Sequence, residues 1–229
     1  METLSPALTS ILSEHLRGRP IDRNLWQNLD KRARTRLSEA IVAGKRKTPA
    51  EVRVCDYDTQ WPYLFSRIEG ELRGQLGALV LAIDHVGSTS VPGLAAKPII
   101  DIDLVISSAY QFPSVKDRLE KFGYIHEGPC GIPEREAFRC VIDLPAHHPY
   151  VCETDARSLE EHLRLRNVLR QNPELAAEYA TLKRALADQY RHDRVAYIEA
   201  KSGFIRSVLA TESIGPRSQM PSTGERLSG

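Results

Sequence analysis

A chain of 229 residues and 25.7 kDa, with 41% hydrophobic and 27% charged residues, is long enough to bury one full core and too balanced for a disordered or membrane protein. No run of about 18 apolar residues occurs, so no transmembrane helix is expected. The net charge of +1 divides unevenly: residues 1–50 carry +5, residues 51–156 carry −7 and residues 157–229 carry +3. An acidic centre between basic flanks points to a cation site in the middle and polyanion contacts at the ends, or to merely solvated faces.

The start, METLSPALTSILSEHLRGRP, lacks a basic segment followed by an apolar one, so no secretory signal and a cytoplasmic location are expected. Leu8, Ile11, Leu12 and Leu16 recur at helical spacing behind Ser5-Pro6. A second helix is predicted from about Asp22, with Leu25, Trp26, Leu29, Leu37 and Ile41 on one side and Lys31, Arg32, Arg34 and Arg36 elsewhere. A boundary near residue 49 closes this basic helical extension, 1–49, which ends in Lys45, Arg46 and Lys47. A main domain is predicted over 50–210, divided into a mixed-sheet part (52–156) and a helical part (157–210).

Within it a short strand is predicted at Val52–Val54 and a helix from Trp61-Pro62 to about Gly77. Leu79–Val86 and Pro98–Ile106 read as buried strands separated by Gly87-Ser-Thr-Ser-Val-Pro-Gly93. A helix at Ser114–Phe122 and strands at Tyr124–Glu127, Ala137–Asp143 and Tyr150–Glu153 make a mixed α/β (α+β) unit. Helices then run from Arg157 to Asn172-Pro173, along the stripe Leu175, Tyr179, Leu182 and Leu186, and from Val195 to about Ala210. Residues 211–229 are rich in Ser, Gly and Pro and are expected to be a disordered tail that can be removed without loss.

The chemistry concentrates in Asp84-His85-Val86-Gly87-Ser88 through Lys97-Pro-Ile-Ile-Asp101-Ile-Asp103. Two residues apart on a strand, Asp101 and Asp103 face one side while Ile100, Ile102 and Leu104 face the other. Such a pair needs an answering cation: a divalent metal, a Lys or Arg, or a cationic substrate; a solvated strand edge is the bland alternative. Gly87-Ser88, with Thr89 and Ser90, supplies approachable backbone and hydroxyls suited to a phosphate, or is an ordinary strand exit. Lys97 either holds an anion or neutralises Asp101. Cys55, Cys130, Cys140 and Cys152 are scattered without a C-x-x-C pair, which fits reduced core or surface thiols rather than a disulfide or zinc framework.

The run HVGSTSVPGLAAKPIIDIDLV closely resembles the signature of the GrpB family, with a nucleotidyltransferase-like fold in which Gly-Ser precedes a D-x-D strand. Tyr57-Asp58-Thr59-Gln60-Trp61-Pro62 with Phe65, the segment Arg157–Asn172 with Tyr179, Leu182 and Lys183, and Ala196–Lys201 with Phe204-Ile205 extend the resemblance over about residues 52–210. The family's Arg, Phe and Arg segment is matched by Arg135, Phe138 and Arg139, and its His-His-x-His-Val strand by His147-His148-Pro149-Tyr150-Val151, with Tyr150 in place of the last histidine. Asp143 and Glu153 are the two carboxylates on offer as the third ligand that two-metal chemistry on this fold uses.

Three functions are weighed. The preferred one enters through a resemblance to fungal arginine-containing cyclodipeptide synthases, secondary-metabolism enzymes that join aminoacyl groups carried on tRNA. It requires no cofactor: Asp101 and Asp103 would hold arginine's guanidinium and His147 or His148 would act as base, since adjacent strand residues cannot both face the cleft. Gly87, Ser88, Thr89, Lys97, Arg135, Arg139, Tyr150 and Glu153 would bind substrate. The basic extension would meet the phosphates of Arg-tRNA and a second aminoacyl-tRNA. The alternative is nucleotidyl transfer from a nucleoside triphosphate, with Mg2+ on Asp101 and Asp103. The last is a non-catalytic folding or interaction module.

Overall fold

The computed structural model describes residues 4–45 and 51–211. Three helices open the chain: α1 (Pro6–Leu16), α2 (Arg23–Asn28) and α3 (Lys31–Lys45). The single helix expected from Asp22 is broken because Leu29 turns extended, at ψ 139°, and a second cap follows it. Asp22 and Asp30 each accept a backbone N–H three residues on, from Leu25 and Ala33, at 2.8 Å. Nor is the expected strand at Val52–Val54 formed. That segment's partners are loop and helix-end backbone, Val52 N–H donating to Arg191 O at 2.8 Å and Cys55 making an isolated bridge with Ala96.

After α4 (Trp61–Leu76) the chain runs β1 (Ala82–Val86), β2 (Ile100–Ile106), α5 (Phe112–Phe122), β3 (Tyr124–Gly128), β4 (Arg135–Cys140) and β5 (His147–Glu153). It closes with α6 (Arg157–Gln171), α7 (Pro173–Gln189) and α8 (Arg194–Thr211). The strands form one five-stranded sheet in the order β1-β2-β5-β4-β3, with β2 and β5 parallel and the other neighbours antiparallel. This is the mixed α+β arrangement expected from the sequence. The parallel pair forces the crossover through α5, β3 and β4 that brings β5 beside the aspartate strand.

Alternation divides the sheet into two faces. Ile100, Ile102, Leu104 and Ile106 of β2 pack with Ile68 and Leu72 of α4 and with Val115 and Leu119 of α5. Trp26, Leu37 and Ile41 of the first helices belong to the same cluster, so packing is continuous across the boundary drawn at residue 49. Trp26 is 1% exposed, and its indole N–H donates to Glu120 O at 2.8 Å. Each such fully buried side chain contributes about 1.5–3 kcal/mol.

Helices α6 to α8 and the loop before β2 cover the other face through smaller apolar clusters, Val105 with Cys152 and Leu159, and Val91 with Leu169 and Tyr179. Asn172 starts α7 by accepting the Leu175 N–H at 3.1 Å, with Pro173 in the first turn. Thr211, expected to begin the tail, still belongs to α8; residues 212–229 lie outside the described residues, as do Arg46 and Lys47. Among the described residues no helix is long and apolar enough to cross a membrane.

Candidate functional site

On β2, Asp101 and Asp103 project from the face covered by α6 to α8. Register sets their neighbours: His148 and Tyr150 of β5 lie opposite Asp101 and Asp103, and Val86 and Asp84 of β1 lie opposite them on the other side. The two carboxylates differ in surroundings. Asp103 is 1% exposed and accepts the Nδ1–H of His162, on α6, at 2.9 and 3.2 Å. Arg135 donates to Nε2 of the same ring at 3.4 Å, which assigns the proton to Nδ1, and lies 4.1 Å over the Tyr150 ring. Burial raises Asp103 above the ordinary carboxylate range, the His162 bond opposing it only in part.

Asp101 is about one-third exposed. Tyr150 donates to its Oδ1 at 3.4 Å and His148 Nδ1 stands 3.5 Å away. Burial alone would raise this group, but the hydrogen bond and charge of His148, with Lys201 behind them, bring it below the usual range. Its floor is backbone: a Cβ on Gly87 would lie 2.5 Å from Asp101 Oδ2, and Gly87 has φ 69° and ψ −172°. Only glycine combines that conformation with that approach.

Beyond Gly87 the chain makes one 3-10 turn, Ser88–Ser90, in which the Ser90 hydroxyl donates to Gly87 O at 2.6 Å. Lys183, on α7, reaches into this turn. It is 2% exposed, donates from Nζ to Ser88 Oγ at 2.9 Å and to Ala95 O, and lies 4.5 Å over the Tyr179 ring. Burial, then Lys201, pushes its pKa down to about 7. Lys97, lowered to about 8 by burial and then by Lys201, stands with Lys201 around the Tyr197 ring, each 5.5 Å from its centroid. Arg166 donates to Asp84 at 3.3 Å and to His85 O at 3.0 Å, and Arg170 donates twice to Ser90 O, at 2.7 and 2.9 Å.

Several expected site residues lie elsewhere. Of the adjacent histidines, His148 faces the aspartates and His147 the main core, where Tyr124 OH bonds its Nε2 at 2.7 Å and Pro145 O its Nδ1 at 2.6 Å. Glu153, two residues along β5 from Val151, shares the core-facing side and so points away from the pair. Asp143 is exposed in the loop before β5. Arg139 is ion-paired with Glu127 on the outer strand β3. Thr89 is 1% exposed, its hydroxyl placed 3.0 Å from His85 Nε2 rather than offered outward.

Burial lowers both His85 and His147 to about 4. The unfolded chain, with histidines near 6.5, therefore takes up protons that the folded chain refuses. Their contribution is complete above pH 6.5 and is lost as pH falls from there through 4, about 2 kcal/mol for each histidine by pH 5. Urea unfolding at pH 7 and pH 5 measures it, and His147→Gln is expected to remove roughly half of the difference.

The sequence pattern does not mark His162, Arg166 and Arg170 as site residues, and it offers Lys183 and Lys201 only as matches to the family. His162, Arg166 and Arg170 are four residues apart, a polar stripe on α6 that runs beside its apolar one. Lys183 occupies a core position of the stripe Ala176, Tyr179, Ala180 and Ala187. A charged residue in an apolar stripe is the signal that marks it.

The donor set does not suit a two-magnesium centre. Among the described residues no three of His, Cys, Asp and Glu converge on a metal position. The strands beside the pair present His148, Tyr150 and an Asp84 already held by Arg166, where a third free carboxylate is needed.

A model of the family described as "GrpB protein" matches residues 51–211. UPF0157 protein YqkA of Bacillus subtilis is 33% identical over 171 residues, 75% of this chain and 49% of its own length, so the match spans about half of that relative. UPF0157 protein BH1888 of Halalkalibacterium halodurans is 35% identical over 176 residues, 76% of this chain and 88% of its own. The crystal structure of the conserved protein GrpB from Enterococcus faecalis superposes with a TM-score of 0.64 at 32% identity, covering 69% of this chain and 96% of that one.

Proposed function

The chain belongs to the GrpB family, and on that nucleotidyltransferase-like scaffold we propose that it is a transferase for activated amino-acid substrates that works without a metal. The observation that carries this reading is the setting of Asp101: a partly open, ionised carboxylate answered by His148, Tyr150 and Lys201 instead of further carboxylates. A guanidinium or ammonium group is the ligand such a carboxylate accepts well. Asp103, closed off by His162, positions the strand and lends its field.

The specific reaction is tRNA-dependent aminoacyl transfer to an arginine-containing cyclic dipeptide. Asp101 holds the cationic group, the ester lies along Gly87–Ser88 toward Lys97, and His148 takes a proton from the attacking amine. Lys31 and Arg34 line a cavity of about 420 Å3 with Lys116 and Lys121 of α5, in the layer on the opposite face of the sheet from Asp101. The tRNA phosphates are therefore assigned to exposed cations of the nearer helices, Arg184, Arg194 and Arg206.

Nucleotidyl transfer is the second reading, favoured by one feature: Lys183 contacts the Gly-Ser turn, and Lys97 and Lys201, paired across the Tyr197 ring, add their charge to it as a phosphate chain would require. The purified chain is incubated with Arg-tRNA and a second aminoacyl-tRNA in chelator, and separately with nucleoside triphosphate and Mg2+. Mass spectrometry is expected to find a cyclic dipeptide in the first mixture. A nucleotide adduct in the second alone overturns the proposal, and no product in either leaves the chain as a binding module.

A further inference from the structure

The Ser88–Lys183 contact has the form of a nucleophile beside its base. Lys183 is buried, yet among the described residues no carboxylate pairs with it; its polar partners are one hydroxyl, at 2.9 Å, and one carbonyl oxygen. An ammonium ion so placed lacks the counter-charge that burial demands, whereas a neutral amine keeps a lone pair for the hydroxyl proton. Ser88 is only half-buried, and it opens the 3-10 turn beside the Asp101 carboxylate. The hydroxyl thus has a base on its inner side and the cleft before it.

We propose that Ser88 is a covalent nucleophile, with Lys183 as its general base, and that the chain forms an acyl-Ser88 ester from an activated acyl donor. The assignment rests on the acyl-transfer reading above and adds a two-step course to it. In the first step the Ser88 proton passes to Lys183 Nζ and Ser88 Oγ bonds to the acyl carbon. The bond from that carbon to the leaving oxygen breaks, and this oxygen takes the proton from Lys183. In the second step the amine of the acceptor attacks the ester carbon and loses a proton to His148, the bond from that carbon to Ser88 Oγ breaks as the amide forms, and Ser88 Oγ takes up a proton from solvent as His148 releases one to it. A lysine lowered to about 7 has both protonation states available near neutrality, as the shuttle requires.

The test uses the full chain and two probes, an aminoacyl p-nitrophenyl ester and a fluorophosphonate, read by intact mass and peptide mapping. A stoichiometric acyl or phosphonyl adduct is expected on the peptide carrying Ser88, forming faster as pH rises through about 7. Ser88→Ala, which removes one oxygen, is expected to abolish the adduct, and Lys183→Arg, which keeps a charged tether, to slow it roughly 100-fold or more. Circular dichroism confirms that each variant is folded, and an unfolded Lys183→Arg is replaced by Lys183→Met. An unlabelled Ser88 in the folded parent, or labelling unchanged in the lysine variant, overturns the proposal. Cyclic dipeptide formed at the parental rate by Ser88→Ala overturns it while leaving the transfer reading intact. An adduct on Ser88 without any dipeptide product supports the nucleophile and removes that reading instead.

Discussion

Asp101→Asn is expected to lower transfer about 100- to 1,000-fold while leaving stability within about 1 kcal/mol, because the amide keeps the shape and discards the charge that meets the substrate. Asp103→Asn is expected to behave differently. Its carboxylate is 1% exposed and accepts both contacts of His162 Nδ1, so the replacement leaves an amide N–H2 facing a site built for an acceptor. A loss of roughly 1–3 kcal/mol in urea unfolding should accompany the loss of turnover. Measuring kcat, KM and unfolding for both variants separates the residue that meets substrate from the one that supports it. Equal stability losses in the two would contradict the division drawn here, and normal turnover in Asp101→Asn would make the pair structural.

Gly87→Ala should be as damaging through a wholly different route. The added methyl would lie 2.5 Å from Asp101 Oδ2, at a backbone conformation reserved for glycine. The strain alone costs roughly 1–3 kcal/mol, and its relief requires the carboxylate or the turn carrying Ser88 to move. Activity is expected to fall at least 100-fold, since a displacement of about 1 Å is enough for that. Gly93→Ala is the control: its φ is 77°, but nothing lies within 4 Å of the added atom, so it carries the strain without the collision. Thermal unfolding should show both variants weakened, and the activity assay should separate them. Similar activity in the two would mean that the approach of Asp101 to backbone is unimportant.

Much of this site was legible locally. Alternation on one strand is enough to bring Asp101 and Asp103 to the same side, and Asn172-Pro173 marks the joint between α6 and α7 to the residue. What escaped the reading is whatever depends on which surfaces meet. His162 reaches Asp103 across 59 residues and Lys183 reaches Ser88 across 95, and no local period encodes either meeting. The choice between His147 and His148 likewise needed the register of β5 on β2. The basic extension reads as separate from the main domain, with a boundary near residue 49, because its cations set it apart in charge. Its few large apolar residues, Trp26, Leu37 and Ile41, are the ones that decide where it sits.

The clasp between Lys183 and the Gly87–Ser88 turn also imposes an order on the protein's birth. Synthesis delivers the aspartates of β2 long before α7 and α8, and these later helices bring Lys183 and Lys201. Until they emerge, a growing chain carries two neighbouring carboxylates with neither lysine present, so the two aspartates stay hydrated. The site is complete only once α8 has been made. A ribosome stalled within α7 would hold both aspartates and no working centre.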